Sequence, residues 1–95
     1  MFEWDEAKRM VNIRKHGIDF RAVAQDWEGL RVHAPSTYPH EPRMLAIGEI
    51  KGRIVTVVYT LRDKAIRIVS ARRARDEEET AYYARLTGSD PKAWG

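Results

Sequence analysis

The hydrophobic positions of this 95-residue chain change their period about one third of the way along it. Up to residue 29 they recur every three or four residues, which is the spacing of one helix face. From residue 30 onward they alternate or run continuously, as strands do, and after residue 76 they return to helical spacing. The pattern predicts helices first, then a run of strands, then a last helix.

Two helices are predicted before the strands, preceded by a short first strand over residues 2–4. Asp5 is a residue type that caps helix N-termini, and Gly17 can adopt the left-handed conformation that ends a helix. Asp19 is the expected N-cap of the second helix, which ends at or before Gly29. The apolar stripe of the first helix is predicted to consist of Ala7, Met10, Val11 and Ile13.

Four strands and a final helix account for the rest of the pattern. The strands are predicted over residues 30–32, 43–50, 53–61 and 64–72, with a proline-rich loop over 34–42. The run 53–61 is nearly all apolar and β-branched, which indicates a central strand covered on both faces. Asp76 is the expected cap of the last helix, with Glu79 closing a capping box. Its apolar side is predicted to be Tyr82, Tyr83 and Leu86.

The element order is therefore β-α-α-β-β-β-β-α. Helices followed by hairpin-linked strands indicate an α+β fold, an antiparallel sheet with two N-terminal helices packed on one face and a C-terminal helix. That packing leaves the other face of the sheet open. The length fits one domain over residues 1–95, in which residues 88–95 form an irregular tail.

Composition excludes several classes of protein. With no cysteine, the chain has no disulfide scaffold, thiolate zinc site or thiol nucleophile. Its longest mostly apolar run, residues 54–61, is shorter than the roughly 20 residues of a membrane span, and its start lacks the pattern of a signal peptide. We expect a soluble, cytoplasmic protein without membrane contact.

The net charge of +3 is concentrated in one segment. Residues 53–75 contain seven basic residues and the single acid Asp63. Such a segment suits phosphate binding, and it suits a solvated sheet edge equally well. Strict alternation places Arg67 and Arg73 on the face opposite Arg72, so that Arg67 joins Arg72 only if the strand bulges or ends near Ser70.

The histidines and acids are open to two interpretations. His16 lies at a helix end, where it is either a cap favoured by the helix dipole or an acid-base group. The spacing of His33 and His40 is not that of a zinc site, so no metal is expected. Glu78 suits a helix start, and because it lies one turn before Tyr82 it could also position the Tyr82 hydroxyl or a neighbouring arginine. A tyrosine at the position of Tyr82 is more often a core residue than a catalytic one.

Three blocks, FEWDEAKRMVNIRKHGIDF, RMLAIGEIKGRIVTVVYTLR and IRIVSARRARDEEETAYY, together resemble the BrnT toxins of bacterial type II toxin-antitoxin systems. The resemblance extends over residues 2–83. It implies a RelE-like ribonuclease fold, RNA cleavage that inhibits translation, and neutralisation by a BrnA-like ribbon-helix-helix antitoxin. The implied complex is a hetero-oligomer, 2:2 in one arrangement, which masks the active face, binds operator DNA through the antitoxin and co-represses the operon.

The resemblance also suggests site residues for a metal-independent endoribonuclease that acts through the 2′-hydroxyl of RNA and uses no cofactor. His16 is the preferred acid or base, Arg67 and Arg72 stabilise the phosphate, and Tyr82 carries a proton or stacks on a base. The expected phosphate contacts are Lys8, Arg53, Arg62 and Arg73, with Ser70 and Glu78 in support. The alternative is a non-catalytic basic module that binds RNA or the antitoxin.

Overall fold

The predicted order of elements is confirmed by the computed structural model, which describes residues 1–36 and 42–88. Most of the predicted proline-rich loop, with His40, and the tail from residue 89 onward lie outside the described residues. A short 3₁₀ helix, Trp27–Gly29, precedes the second strand. The other elements are β1 (Phe2–Glu3), α1 (Glu6–His16), α2 (Phe20–Gln25), β2 (Leu30–Pro35), β3 (Met44–Ile50), β4 (Arg53–Arg62), β5 (Ala65–Arg73) and α3 (Asp76–Thr87).

The strands form one five-stranded sheet in the order β1-β5-β4-β3-β2. Pairing is antiparallel from β2 to β5, as hairpin connections require, whereas β1 pairs parallel with β5. Two α-helices and three strands separate β1 from β5 in the sequence, so no hairpin connects the pair. Chain connectivity therefore does not impose an antiparallel direction on β1. Its first hydrogen bond joins the Ile66 amide to the Met1 carbonyl at 2.8 Å.

The main core lies on one side of the sheet, which we call the α2 face. There Val55 and Val57 of β4 pack with Phe20 and Val23 of α2, and all four side chains are nearly or fully buried. Burying such side chains on both layers is the main source of stability in a domain of this size.

The opposite side of the sheet, the α3 face, is not open as the sequence suggested. Helix α3 packs against β2 and β3 there, and it buries Thr56 completely. Ile47 and Tyr82 are buried too, outside the α2-face cluster. The predicted covering of the central strand β4 on both faces is thus confirmed.

The local signals at the helix ends are mostly confirmed. Asp5 and Asp19 cap α1 and α2 through their side chains, and Gly17 ends α1 in the left-handed conformation. The expected cap of α3 is wrong. Its N-cap is Arg75, and Glu78 closes the capping box in place of Glu79, because the Glu78 carboxylate is fixed by contacts with the sheet.

The predicted apolar sides of α1 and α3 are also largely wrong. Met10 and Val11 are about half exposed, and so are Tyr83 and Leu86. The buried residues of α1 are Arg9 and Asn12. The helix lies along an edge of the sheet, and Asn12 bonds to backbone groups there. Arg9 is satisfied by ion pairs with Glu6 and Asp19. Within the described ranges, no helix has the length and hydropathy needed to cross a membrane.

Candidate functional site

A β-bulge in β5 decides which arginines share a face. Ser70 pairs with Val58 and Ile68 pairs with Tyr59, so Val69 is the extra residue of the bulge. Arg67 and Arg72 therefore both lie on the α3 face, opposite Thr60 and Thr56 of β4. The sequence predicts that Arg67 and Arg72 share a face only if the strand bulges or ends near Ser70, and the structure has such a bulge.

A groove crosses the junction of α1 and β5, and we call it the basic groove. Its first hollow has a volume of about 580 Å³ and is lined by the cations Lys8, Arg43, Arg62 and Arg67, among others. Its second hollow, about 370 Å³, is lined by Lys8, Lys15, His16, Val11, Val69 and Ser70, among others. Lys8 and Val69 line both hollows, so the two hollows are adjacent.

Asn12 fixes the wall of the basic groove. Its amide nitrogen donates to the carbonyls of Ile18 and Ala71, both at 2.9 Å, and its amide oxygen accepts from the Ala71 amide at 3.1 Å. The side chain thus pairs with β5 as a neighbouring strand would. This contact holds Lys8 and His16, which flank Asn12 on α1, beside the bulge.

Among the residues that the structure describes, Arg67 has Glu3 as its ion-pair partner. Its Nη1 lies 3.1 Å from Glu3 Oε2, and the two side chains are 30% and 39% exposed. Ion pairs at this exposure contribute little to stability, because water and salt screen them. A phosphate in the basic groove can therefore compete with Glu3 for this guanidinium.

Arg72 is far more firmly engaged. Its two terminal nitrogens donate to the two oxygens of Glu78 at 2.7 and 2.9 Å, and Glu78 Oε1 also accepts from Thr56 Oγ1 and the Arg75 amide. The hydrogen bond from Arg72 is the largest influence on the pKa of Glu78, and although burial opposes it, the pKa falls to about 2. The same bond raises the pKa of Arg72. This pair ties the start of α3 to the sheet.

The remaining predicted site residues divide between the groove and the rest of the molecule. Arg62, His16 and Ser70 line the basic groove together with Lys8 and Arg67. Arg53 lies two residues from Val55 and Arg73 pairs with Val55, so both lie on the α2 face. Tyr82 is a buried residue of α3. His33 belongs to an aromatic cluster, where its Nδ1 is 2.8 Å from the Tyr59 hydroxyl and its ring lies near Trp27.

Sequence reasoning missed Lys15, Val11 and Val69 as groove residues. The spacing of seven between Lys8 and Lys15 places them on one helix face and could have indicated the first of these. The helical period predicts Val11 on the core side of α1, and the position of Val69 depends on the bulge. Among the residues that the structure describes, no three histidine, cysteine or acidic side chains come together as a metal site would require.

This chain is similar to a known protein family. The family described as "Ribonuclease toxin, BrnT, of type II toxin-antitoxin system" matches residues 4–78, which include α1, α2, the whole sheet from β2 to β5 and the start of α3. No curated protein matches the chain.

Proposed function

Because this chain belongs to the BrnT family of ribonuclease toxins from type II toxin-antitoxin systems, we propose that its basic groove binds RNA and cleaves it without a metal ion. The family implies an RNA substrate and an antitoxin partner. The observation that carries the proposal is the adjacency of the two hollows, which share Lys8 and are lined by Arg67 in the first and His16 in the second.

Phosphate binding is assigned to the cations of the first hollow. Lys8 and Arg62 make no ion pair within the described ranges, and Arg67 makes only the exposed pair with Glu3. A guanidinium donates two parallel hydrogen bonds to a phosphate, whereas a lysine contributes a compact charge. Arg53 and Arg73 take no part in this proposal, because they lie on the other face.

Cleavage is assigned to the side of the groove that holds His16. A base removes the proton of the RNA 2′-hydroxyl, the 2′-oxygen bonds to phosphorus, and the bond from phosphorus to the 5′-oxygen breaks. A proton is delivered to that 5′-oxygen, leaving a 2′,3′-cyclic phosphate and a 5′-hydroxyl. His16 serves as the base or the acid, since an imidazole ring can both accept and donate a proton. Lys8 and Arg67 stabilise the charge that develops on the phosphoryl oxygens.

Arg72, Glu78 and Tyr82 support the site through the fold. Arg72 is a positioning residue, since its guanidinium is engaged by Glu78, and this pair anchors α3 over β4. Tyr82 is a buried residue of the same helix. None of these three side chains has to contact RNA in the proposed mechanism.

We assign the antitoxin to the BrnA type, with a ribbon-helix-helix segment, and place it over the basic groove. An acidic or apolar segment of the antitoxin there would exclude RNA. The complex, 2:2 in our proposal, would bind operator DNA through the antitoxin and co-repress the operon. The free toxin would act on RNA in the cytoplasm.

The test uses the toxin freed of its antitoxin and incubated with RNA in excess EDTA. We expect cleavage, a roughly 100-fold or greater loss of rate in His16→Ala, and a clear loss in Arg67→Ala. Arg53→Ala is the matched control, because it removes the same charge from the α2 face. Intact RNA under these conditions would contradict the proposed metal-independent cleavage. Binding of RNA without fragments would identify a binding module instead.

A further inference from the structure

The second hollow of the basic groove has an apolar floor that the fold itself does not need. Val11 is 54% exposed on α1, and Val69 is the bulged residue of β5. Neither belongs to the hydrophobic core. A β-branched residue at an exposed helix position also lowers helix propensity slightly, so Val11 does not stabilise α1 by itself.

Two lysines and one acid, Asp5, line the hollow around this floor. Lys8 and Lys15 are two helical turns apart on α1, and His16 lies beside them at the helix end. Neither lysine pairs with an acid among residues 1–36 and 42–88. The hollow therefore combines a small apolar surface with cations on its rim.

We infer that this hollow is a nucleobase subsite, in which one base of the bound RNA packs on Val11 and Val69 while its neighbouring phosphates contact Lys8 and Lys15. This assignment rests on the proposed function, and it adds where a base is held. A nucleotide has the complementary composition, since it joins a flat, largely apolar ring to an anionic backbone. The first hollow is adjacent and shares Lys8 with the second, so we assign the next phosphate to Arg67 there.

The test compares binding of a short 2′-O-methyl RNA, which this reaction cannot cleave, and of derivatives in which each base in turn is replaced by an abasic residue. In the wild-type toxin, removing the base that occupies the subsite is expected to weaken binding about tenfold. Val11→Ala removes two methyl groups of the floor and is expected to weaken the intact RNA by roughly that factor. In Val11→Ala the same abasic change should then have a clearly smaller effect than in the wild type, since the contact between the base and Val11 is not lost twice.

Met10→Ala is the matched control, because Met10 is 47% exposed on the same helix and does not line the hollow. Its abasic series should equal that of the wild type. Equal abasic series in all three proteins would overturn the nucleobase subsite while leaving the proposed function intact. If the wild type binds no RNA at all, both fail. If Val11→Ala weakens only the antitoxin complex, the floor belongs to a protein contact and the inference is wrong.

Discussion

The carboxylate of Glu78 links β4, β5 and the start of α3 through the hydrogen bonds that its two oxygens accept. Its Oε1 accepts hydrogen bonds from Thr56, Arg72 and the Arg75 amide, and its Oε2 accepts from Arg72. With the side chain 12% exposed, these bonds replace nearly all of its contacts with water. Breaking such a partly buried, charge-assisted network is costly, because each remaining partner loses a hydrogen bond.

This network predicts a loss of stability in acid. The pKa of Glu78 in the folded protein is about 2, below the ordinary value of 4.5, so folding favours the ionised form. The stabilisation is complete above about pH 4.5 and is lost as the pH falls toward 2, and a shift of this size corresponds to about 3 kcal/mol. Urea unfolding from pH 6 to pH 2 should show this component in the wild type and not in Glu78→Gln.

Glu77→Gln is the control for that experiment, since Glu77 is an exposed neighbour in the same helical turn. It should keep the pH dependence of the wild type. Parallel pH curves for wild type and Glu78→Gln would show that the network does not stabilise the folded state.

Gly48 is a second residue whose identity is fixed by a contact. A Cβ placed there would lie 2.0 Å from the Gly29 carbonyl oxygen and 2.5 Å from Leu30 Cα, where the backbone crosses β3. Both obstacles are backbone atoms, so no side chain can move aside. We expect Gly48→Ala to lower the free energy of unfolding by about 3 kcal/mol or more.

Gly52→Ala provides the comparison for Gly48→Ala. Gly52 has a φ of +80°, and a Cβ there meets no atom within 4 Å. The cost should be the backbone strain alone, about 1 kcal/mol. Equal midpoints of urea unfolding for the two variants would contradict the close approach at Gly48.

At the level of elements, the caps of α1 and α2 could be predicted because they depend on neighbouring residues. Asp5, Asp19 and Gly17 each bond to groups within four residues, and all three were identified from sequence. The same holds for the strands, whose two-residue period is local. Element order and most helix ends were therefore within reach of sequence reasoning.

The polar inner side of α1 and the cap of α3 were out of reach for the opposite reason. Asn12 meets Ala71, 59 residues away, and Glu78 meets Thr56, 22 residues away. The bulge at Val69 follows likewise from pairing with β4. The sequence shows that Arg67 and Arg72 can share a face only across a bulge. Whether β5 has a bulge depends on its pairing with β4, which the sequence pattern does not contain.

Asn12 gives an element-scale prediction about how α1 is attached. In Asn12→Ala, the Ala71 amide and two carbonyls lose their partner, which we expect to cost about 2 to 3 kcal/mol. Hydrogen exchange should accelerate at the Ala71 amide more than at the Val57 amide in the central strand. Met10→Ala, which changes an exposed position on α1, should leave both rates unchanged, and uniform acceleration in Asn12→Ala would indicate global unfolding instead.

Over the whole molecule, basic side chains collect along the basic groove and acids collect at the start of α3. The last turn of α1 contains Arg14, Lys15 and His16, whereas the first turn of α3 contains four acids, Asp76 to Glu79. The net charge of +3 therefore understates the attraction of an anion to the basic groove. An excess of positive charge along the groove favours approach of RNA from that side.

The final prediction concerns how RNA affinity depends on salt. Each phosphate neutralised by the toxin releases counterions, so the logarithm of the binding constant falls with the logarithm of salt concentration, by about 0.7 per contact on a single strand. Lys8→Ala and Arg67→Ala should each make this slope shallower by about that amount. Arg53→Ala removes an equal charge on the α2 face and should leave the slope unchanged. If all three variants changed it equally, RNA would be responding to net charge and the basic groove would not be its binding site.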